Sequence, residues 1–286
     1  MAHNDRDAAE RSREIGVGGT AGTGRAALGP LLNHLAAGIR GVLGTKLLGL
    51  YLWGSFAVGD FDPRISDLDL VAALSADVDA REYSALGAMH EALARAYPEW
   101  AGRIEVRYAT VATLDRPAAG GEIVSISPGE PLNRRRSDER WQIDWYVARE
   151  RGIALHGPPP GELLAPIPRE RFLASVRANV ASWDDWIDQV HGHRGQAYAI
   201  LLMCRALRAT VHGDQLSKPA AGRWAQGALP AWADLIGRAL AWREAPEDVP
   251  GAPADAETRR FVEAMRRRIL GAPGPSLRPP APENGR

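Results

Sequence analysis

The sequence predicts an α+β chain, with strands and helices interleaved in the first half and helices alone in the second. Three observations carry that prediction. Short runs at 47–53, 67–74 and 103–111 are apolar or alternate apolar with charged residues, the two-residue period of strands. Beyond about residue 168 apolar residues recur every three or four positions instead, the period of helices. Between the two halves His156-Gly157-Pro158-Pro159-Pro160-Gly161 interrupts any regular element and puts a domain boundary near 157–168.

Composition narrows the class of protein. The 286 residues hold 35 Lys plus Arg against 35 Asp plus Glu, and a formal charge of zero argues against a nucleic-acid coat, which needs surplus cations. A hydrophobic share of 45% is enough to bury real cores. One cysteine, Cys204, excludes an internal disulfide framework and a Cys-rich zinc site. No apolar run approaches the ~20 residues of a membrane-spanning helix, and the first 25 residues lack the apolar core of a secretory signal. A soluble, cytoplasmic monomer without membrane or stable nucleic-acid partners is expected.

Taken in order, 1–27 is charged and then Gly/Thr/Ala-rich and is expected to be disordered. Helix is expected over 31–42. The run 47–53 reads as a buried strand that ends in a Gly54-Ser55 turn, and 67–74 as a second strand. Tyr83, Leu86, His90, Leu93 and Tyr97 mark a helix. The third strand, 103–111, puts Ile104, Val106 and Tyr108 on one face and Arg103, Glu105 and Arg107 on the other. With two Gly-rich breaks and Arg134-Arg135-Arg136, 116–136 reads as a long loop. In the second half Leu173, Val176, Val180, Trp183, Ile187 and Val190 form one apolar stripe. Helices are expected over 196–211, 217–228, 231–242 and 257–270, and a Pro-rich disordered tail over 272–286.

Chemistry concentrates in Leu50-Tyr51-Leu52-Trp53-Gly54-Ser55 and Ser66-Asp67-Leu68-Asp69-Leu70. Glycine lets backbone approach a phosphate, and a serine hydroxyl and free amides donate to it. Two residues apart on a strand, Asp67 and Asp69 share a face. Such carboxylates repel each other unless a hard cation such as Mg²⁺ sits with them, together with substrate phosphates. Glu105 is a third acid, one helix further on, although its strand face also fits an ordinary charged surface. Lys218 follows the helix cap Ser217, where a cation opposes the helix dipole and a bound anion would reverse the sign.

This combination resembles the signature of the DNA-polymerase-β-like nucleotidyltransferase superfamily, and within it the streptomycin/spectinomycin adenylyltransferases. The likeness extends through Trp141-Gln142-Ile143-Asp144-Trp145-Tyr146 to His156-Gly157-Pro158, Cys204-Arg205-Ala206-Leu207, Ser217-Lys218 and Trp224, over roughly residues 30–245. The resemblance implies a small mixed β-sheet nucleotidyltransferase domain over 28–165, followed by an all-α helical-bundle domain over 166–271. It implies transfer of AMP from ATP, with Mg²⁺ as cofactor, to a hydroxyl of an aminocyclitol antibiotic, with release of pyrophosphate. Asp67, Asp69 and Glu105 would hold magnesium, with Glu105 also the general base, while Gly54, Ser55, Ser66, Arg205 and Lys218 meet the triphosphate.

For the acceptor, Trp186 with Asp184 and Asp188 offers an aromatic face and carboxylates to a cation. One departure stands out. Where the resembling enzymes carry acids before the second long helix, this chain has His191-Gly192-His193-Arg194-Gly195-Gln196, which weakens attraction for dicationic streptomycin. The family's tryptophan after the Glu105 strand is also missing from 116–138. A non-antibiotic acceptor (protein or RNA) and a non-catalytic nucleotide-binding regulator therefore stay open as alternatives.

Overall fold

Strand alternation sets the layers. The computed structural model describes residues 21–183, 186–245 and 254–271. Its elements run α1 (Ala21–Leu43), β1 (Leu47–Leu52), α2 (Gly54–Ala57), β2 (Leu68–Leu74), α3 (Ala80–Ala96), β3 (Ile104–Thr110), α4 (Val111–Asp115), β4 (Glu122–Ser127) and β5 (Glu130–Arg136). There follow α5 (Gln142–Arg151), β6 (Ile153–His156), α6 (Pro160–Leu163), α7 (Arg169–Ala181), α8 (Gly192–His212), α9 (Lys218–Ala228), α10 (Ala233–Glu244) and α11 (Ala256–Leu270).

The six strands form one mixed sheet in the order β5-β4-β3-β2-β1-β6. Only β2 and β3 run parallel, joined by the crossover helix α3, while every other neighbouring pair is antiparallel. Leu50, Leu52, Leu68, Leu70, Val106 and Tyr108 point to one face, where Leu31, Leu35 and Ile39 of α1 and Leu86 and Leu93 of α3 bury them. Tyr51, Trp53, Val71, Ala73 and Ala109 point to the other, under Leu114 of α4 and Trp145, Val147 and Ala148 of α5. This α+β architecture, a mixed sheet followed by helices, is the one the sequence predicts.

The helical region is built around α8, against which α7, α9, α10 and α11 pack. Ala197, Ile200, Leu201, Met203 and Cys204 fill its centre. Among the described residues no helix is long and apolar enough to cross a membrane.

Three expectations need correction. Helix α1 begins at Ala21, so 21–27 is helical rather than disordered; packing from Leu28 onward offsets the low propensity of the preceding glycines. The expected disorder of 1–20 and 272–286 lies outside the described residues. Much of the predicted loop 116–136 is the β4–β5 hairpin. Pro128 and Gly129 (φ +76°) form its tight turn, between the paired residues Ser127 and Glu130. Arg134, Arg135 and Arg136 line the sheet's edge, where exposed charge discourages further pairing. Lastly, the stripe from Leu173 to Val190 is not one helix: α7 ends at Ala181, and Trp183 and Val190 reach the same core from the chain beyond it.

Candidate active site

Strand β2 alternates buried leucines with half-buried acids, so Asp67 and Asp69 lie on the face opposite α1 and α3. Parallel pairing sets Asp69 directly beside Glu105 on β3. At the end of β1 the Trp53 N–H donates to the Asp69 carbonyl at 2.9 Å, and the chain then turns through Gly54 at φ +64°. A side chain there is excluded twice over. The backbone is left-handed, and an added Cβ would lie 1.8 Å from Asp69 Oδ2. The Asp69 carboxylate therefore rests against the Gly54 Cα. Buried Ser66 accepts the Asp62 N–H at 3.0 Å, and its own N–H donates to the Asp62 carbonyl at 2.8 Å, which fixes the loop leading into Asp67.

These groups line a cleft of about 280 Å³ between the sheet and the helices. Its opposite wall carries Arg205 of α8, Lys218 at the start of α9 and Arg243 of α10. Ser217 caps α9, its hydroxyl accepting the Ala220 N–H, as the sequence predicts. Lys218 Nζ sits 4.3 Å above the ring of Tyr198. Arg243 reaches Asp60 at 3.6 Å, while Arg205 has no ion pair or hydrogen bond among the described residues. The cleft thus sets carboxylates from the sheet against cations from the bundle. Gly54, Ser55, Ser66, Asp67, Asp69, Glu105, Arg205 and Lys218, distant in sequence, all meet in it.

Electrostatics record how far these charges are from satisfied. Burial, and then the Glu105 charge, push Asp69 up to about 7. Burial also raises Asp67 and Glu105, with Arg107 opposing the rise at Glu105. Across the cleft, burial and then Arg205 and Arg243 pull Lys218 down to about 7. Each wall disfavours its own charge, so a cation near the acids and an anion near the bases would relieve both.

Glu105 does not stand free. It pairs with Arg107, whose other nitrogen holds Asp144 Oδ2 at 2.5 Å. The Arg107 guanidinium, only 13% exposed, lies 4.7 Å from the Trp141 ring and 5.4 Å from that of Trp53. Among the described residues no three His, Cys, Asp or Glu side chains gather as a metal-binding group. The expected three-acid cluster is therefore Asp67 and Asp69 with Glu105 turned to Arg107. Two carboxylates still fit Mg²⁺, which takes one or two from protein and completes its shell with water and substrate phosphates.

The acceptor residues predicted from sequence do not converge here. Trp186 packs beside Tyr198, 5.6 Å between rings, and tilts against Trp183 in the bundle rather than lining the cleft. Asp188 is exposed and pairs with Arg259 at 2.5 Å, because α7 has already ended and its segment turns outward. Asp184 lies outside the described residues. Conversely, Arg107, Asp144, Tyr198 and Arg243 line the cleft without having been singled out as site residues. For Tyr198 a signal existed: it stands seven residues before Arg205 on one helix face.

Residues 162–268 match the family model described as "Aminoglycoside adenylyltransferase, C-terminal domain". The chain resembles the aminoglycoside adenylyltransferases. Its fold is shared with a solved structure, spectinomycin adenyltransferase AAD(9) from Enterococcus faecialis with ATP and spectinomycin. That match has a TM-score of 0.64 and 15% sequence identity, covering 84% of this chain and 98% of the other. No curated protein sequence matches.

Proposed function

We propose that the chain transfers AMP from MgATP to a hydroxyl of a small polyhydroxylated acceptor and releases pyrophosphate. One observation carries the reading: Asp67 and Asp69, packed beside the Gly54-Ser55 turn, face Lys218 and Arg205 across a single cleft. The shared fold with an enzyme whose structure is described with ATP and spectinomycin, and the family match over the helices, support it. An aminocyclitol of the spectinomycin kind is the acceptor that this resemblance supports.

Each residue has a physical role in that reaction. The Gly54 turn, which leaves room for only a hydrogen, and Ser55 receive phosphate oxygens, while Lys218 and Arg205 offset their charge from the helical wall. Asp67 and Asp69 would hold magnesium, which when bound supplies charge neutralisation on the transferring phosphoryl group. Glu105 takes the acceptor's proton as the acceptor oxygen bonds to the α-phosphorus. The bond from that phosphorus to the bridging oxygen breaks, and its electron pair leaves with pyrophosphate. Burial raises the basicity of Glu105, while Arg107 opposes that rise and aims the carboxylate.

A pyrophosphate-release assay with ATP, magnesium and a panel containing spectinomycin, streptomycin and neutral polyols tests the proposal. Turnover should require both magnesium and an acceptor. Glu105→Gln should retain ATP binding and lose transfer by about 10²-fold or more. Wild-type protein that binds ATP and transfers to nothing in the panel would favour the non-catalytic alternative.

A further inference from the structure

We propose that Arg243 is a further triphosphate-binding residue of this cleft, and that the Asp60 carboxylate is the partner it exchanges for a phosphate oxygen. The inference rests on the adenylyl-transfer reading and concerns its nucleotide, not its acceptor.

Both residues line the cleft, one on each wall. Asp60 closes the turn that begins at Gly54 and Ser55. After α2 the chain passes through Gly59 at φ +75°, and the Asp60 N–H returns to the Ser55 carbonyl at 2.9 Å. Left-handed backbone of that kind favours glycine, so Val58-Gly59-Asp60 fixes where the acid stands. Arg243 comes from the other side, in the last turn of α10. Their ion pair measures 3.6 Å, which is beyond hydrogen-bonding distance.

Asp60 thus belongs to the sheet wall but stands among the bundle's cations. Burial raises it, and the charges of Arg243, Arg223 and Lys218, in that order, oppose the rise. The Arg243 guanidinium makes no hydrogen bond among the described residues, although its side chain is only 20% exposed. A strut built only to hold the walls together gains most from short, bidentate bonds, which this pair lacks. Loose geometry and spare donors are instead what an exchange requires. A phosphate would give Arg243 the charge-assisted bonds that Asp60 leaves unmade, and its negative charge would push the carboxylate away. A partly exposed pair of this length contributes little to stability, so giving it up costs little.

The test is calorimetry on the full chain with magnesium and a non-hydrolysable ATP analogue. If the analogue fails to bind the wild type, the adenylyl-transfer reading falls and this inference with it. Once it binds, Arg243→Gln should weaken it about tenfold or more, and Asp60→Asn should tighten it about threefold or more. Combined with Arg243→Gln, Asp60→Asn should lose most of that gain, because the cation it releases is gone. Adenosine, which has no phosphate, should bind every variant as it binds the wild type. An undiminished gain in the double variant would mean that Asp60 only repels phosphate, and would overturn the exchange. So would an Asp60→Asn variant that binds the analogue more weakly, the mark of a strut, or an Arg243→Gln variant with unchanged affinity. A loss shared by adenosine and the analogue would show a distorted cleft and overturn it too. Each of these last results leaves the transferase reading standing.

Discussion

The two faces of β3 divide the labour of this molecule. On one, Ile104, Val106 and Tyr108 are buried among apolar side chains, and Tyr108 Oη meets His90 Nε2 at 2.7 Å. On the other, Glu105 and Arg107 stand among like and unlike charges in the cleft. The first face lowers the free energy of the folded chain. The second stores unfavourable charge that a nucleotide and cation would satisfy. One strand thus shows stability and reactivity as separable properties: a mutation on the apolar face should cost stability and spare transfer, and one on the acidic face should cost transfer without costing stability.

The largest break in that division should come from Asp69→Asn. Transfer should fall by about 10³-fold, of order 4 kcal/mol, in a pyrophosphate assay. Yet Tm at pH 8 should rise. The carboxyl is pushed up to about 7 in the fold, so stability falls as pH rises from its unfolded value near 4 through 7, the whole cost stands at pH 8, and the amide removes it. A fall in Tm would mean that the acid face also stabilises the fold. Next in size is the core face. Burial pulls His90 down to about 4 from an ordinary value near 6.5. Its favourable contribution is complete above pH 6.5 and is lost as pH falls toward 4, because the unfolded chain takes up the proton first. In urea melts the stability difference between wild type and His90→Gln should shift by about 3 kcal/mol against wild type from pH 7 to pH 4, a loss that the opposite slope of Asp69 masks in wild type alone. His90→Gln should leave transfer unchanged.

Lys218→Ala sharpens the comparison from the opposite wall. It should weaken ATP by about ten- to thirtyfold, the worth of one charged contact, and should not lower Tm, since burial disfavours the ammonium group that is removed. The smallest effect should follow Ser217→Ala, which removes the α9 cap bond to the Ala220 N–H. About 1 kcal/mol of stability should be lost, read by denaturant midpoint, with a smaller loss of ATP affinity as the Lys218 backbone loosens.

How much of this could be read beforehand follows from the range of each signal. The acid wall was legible because a two-residue period fixes faces, and the short β2–α3–β3 crossover made Asp69 and Glu105 plausible neighbours before any pairing was known. The start of α9 was legible because Ser217-Lys218-Pro219 is a local capping pattern. The β4–β5 hairpin was not, since an edge strand of Asn and Arg lacks apolar alternation and its Pro128-Gly129 turn looked like more loop. Nor was the Arg107 cage. Its walls come from the residue after β1, from β3, and from α5 with the residue before it, and no spacing along the chain announces that a basic residue on a strand will be roofed by three indoles. Trp186 and Asp188 were misplaced for a related reason: the apolar stripe outlasts the helix that was expected to carry it. The bundle's cations, Arg205 and Arg243, took their positions from helix packing, which a single sequence does not specify.

Cys204 has a practical bearing on how the two walls can be watched in motion. The chain's sole thiol is sealed inside α8, and its surroundings push it up to about 12, so maleimides and disulfide reagents should leave it untouched. A fluorophore pair attached through one new cysteine beside β5 and another on α11 would then report separation between sheet and bundle as ATP is titrated, in otherwise native protein.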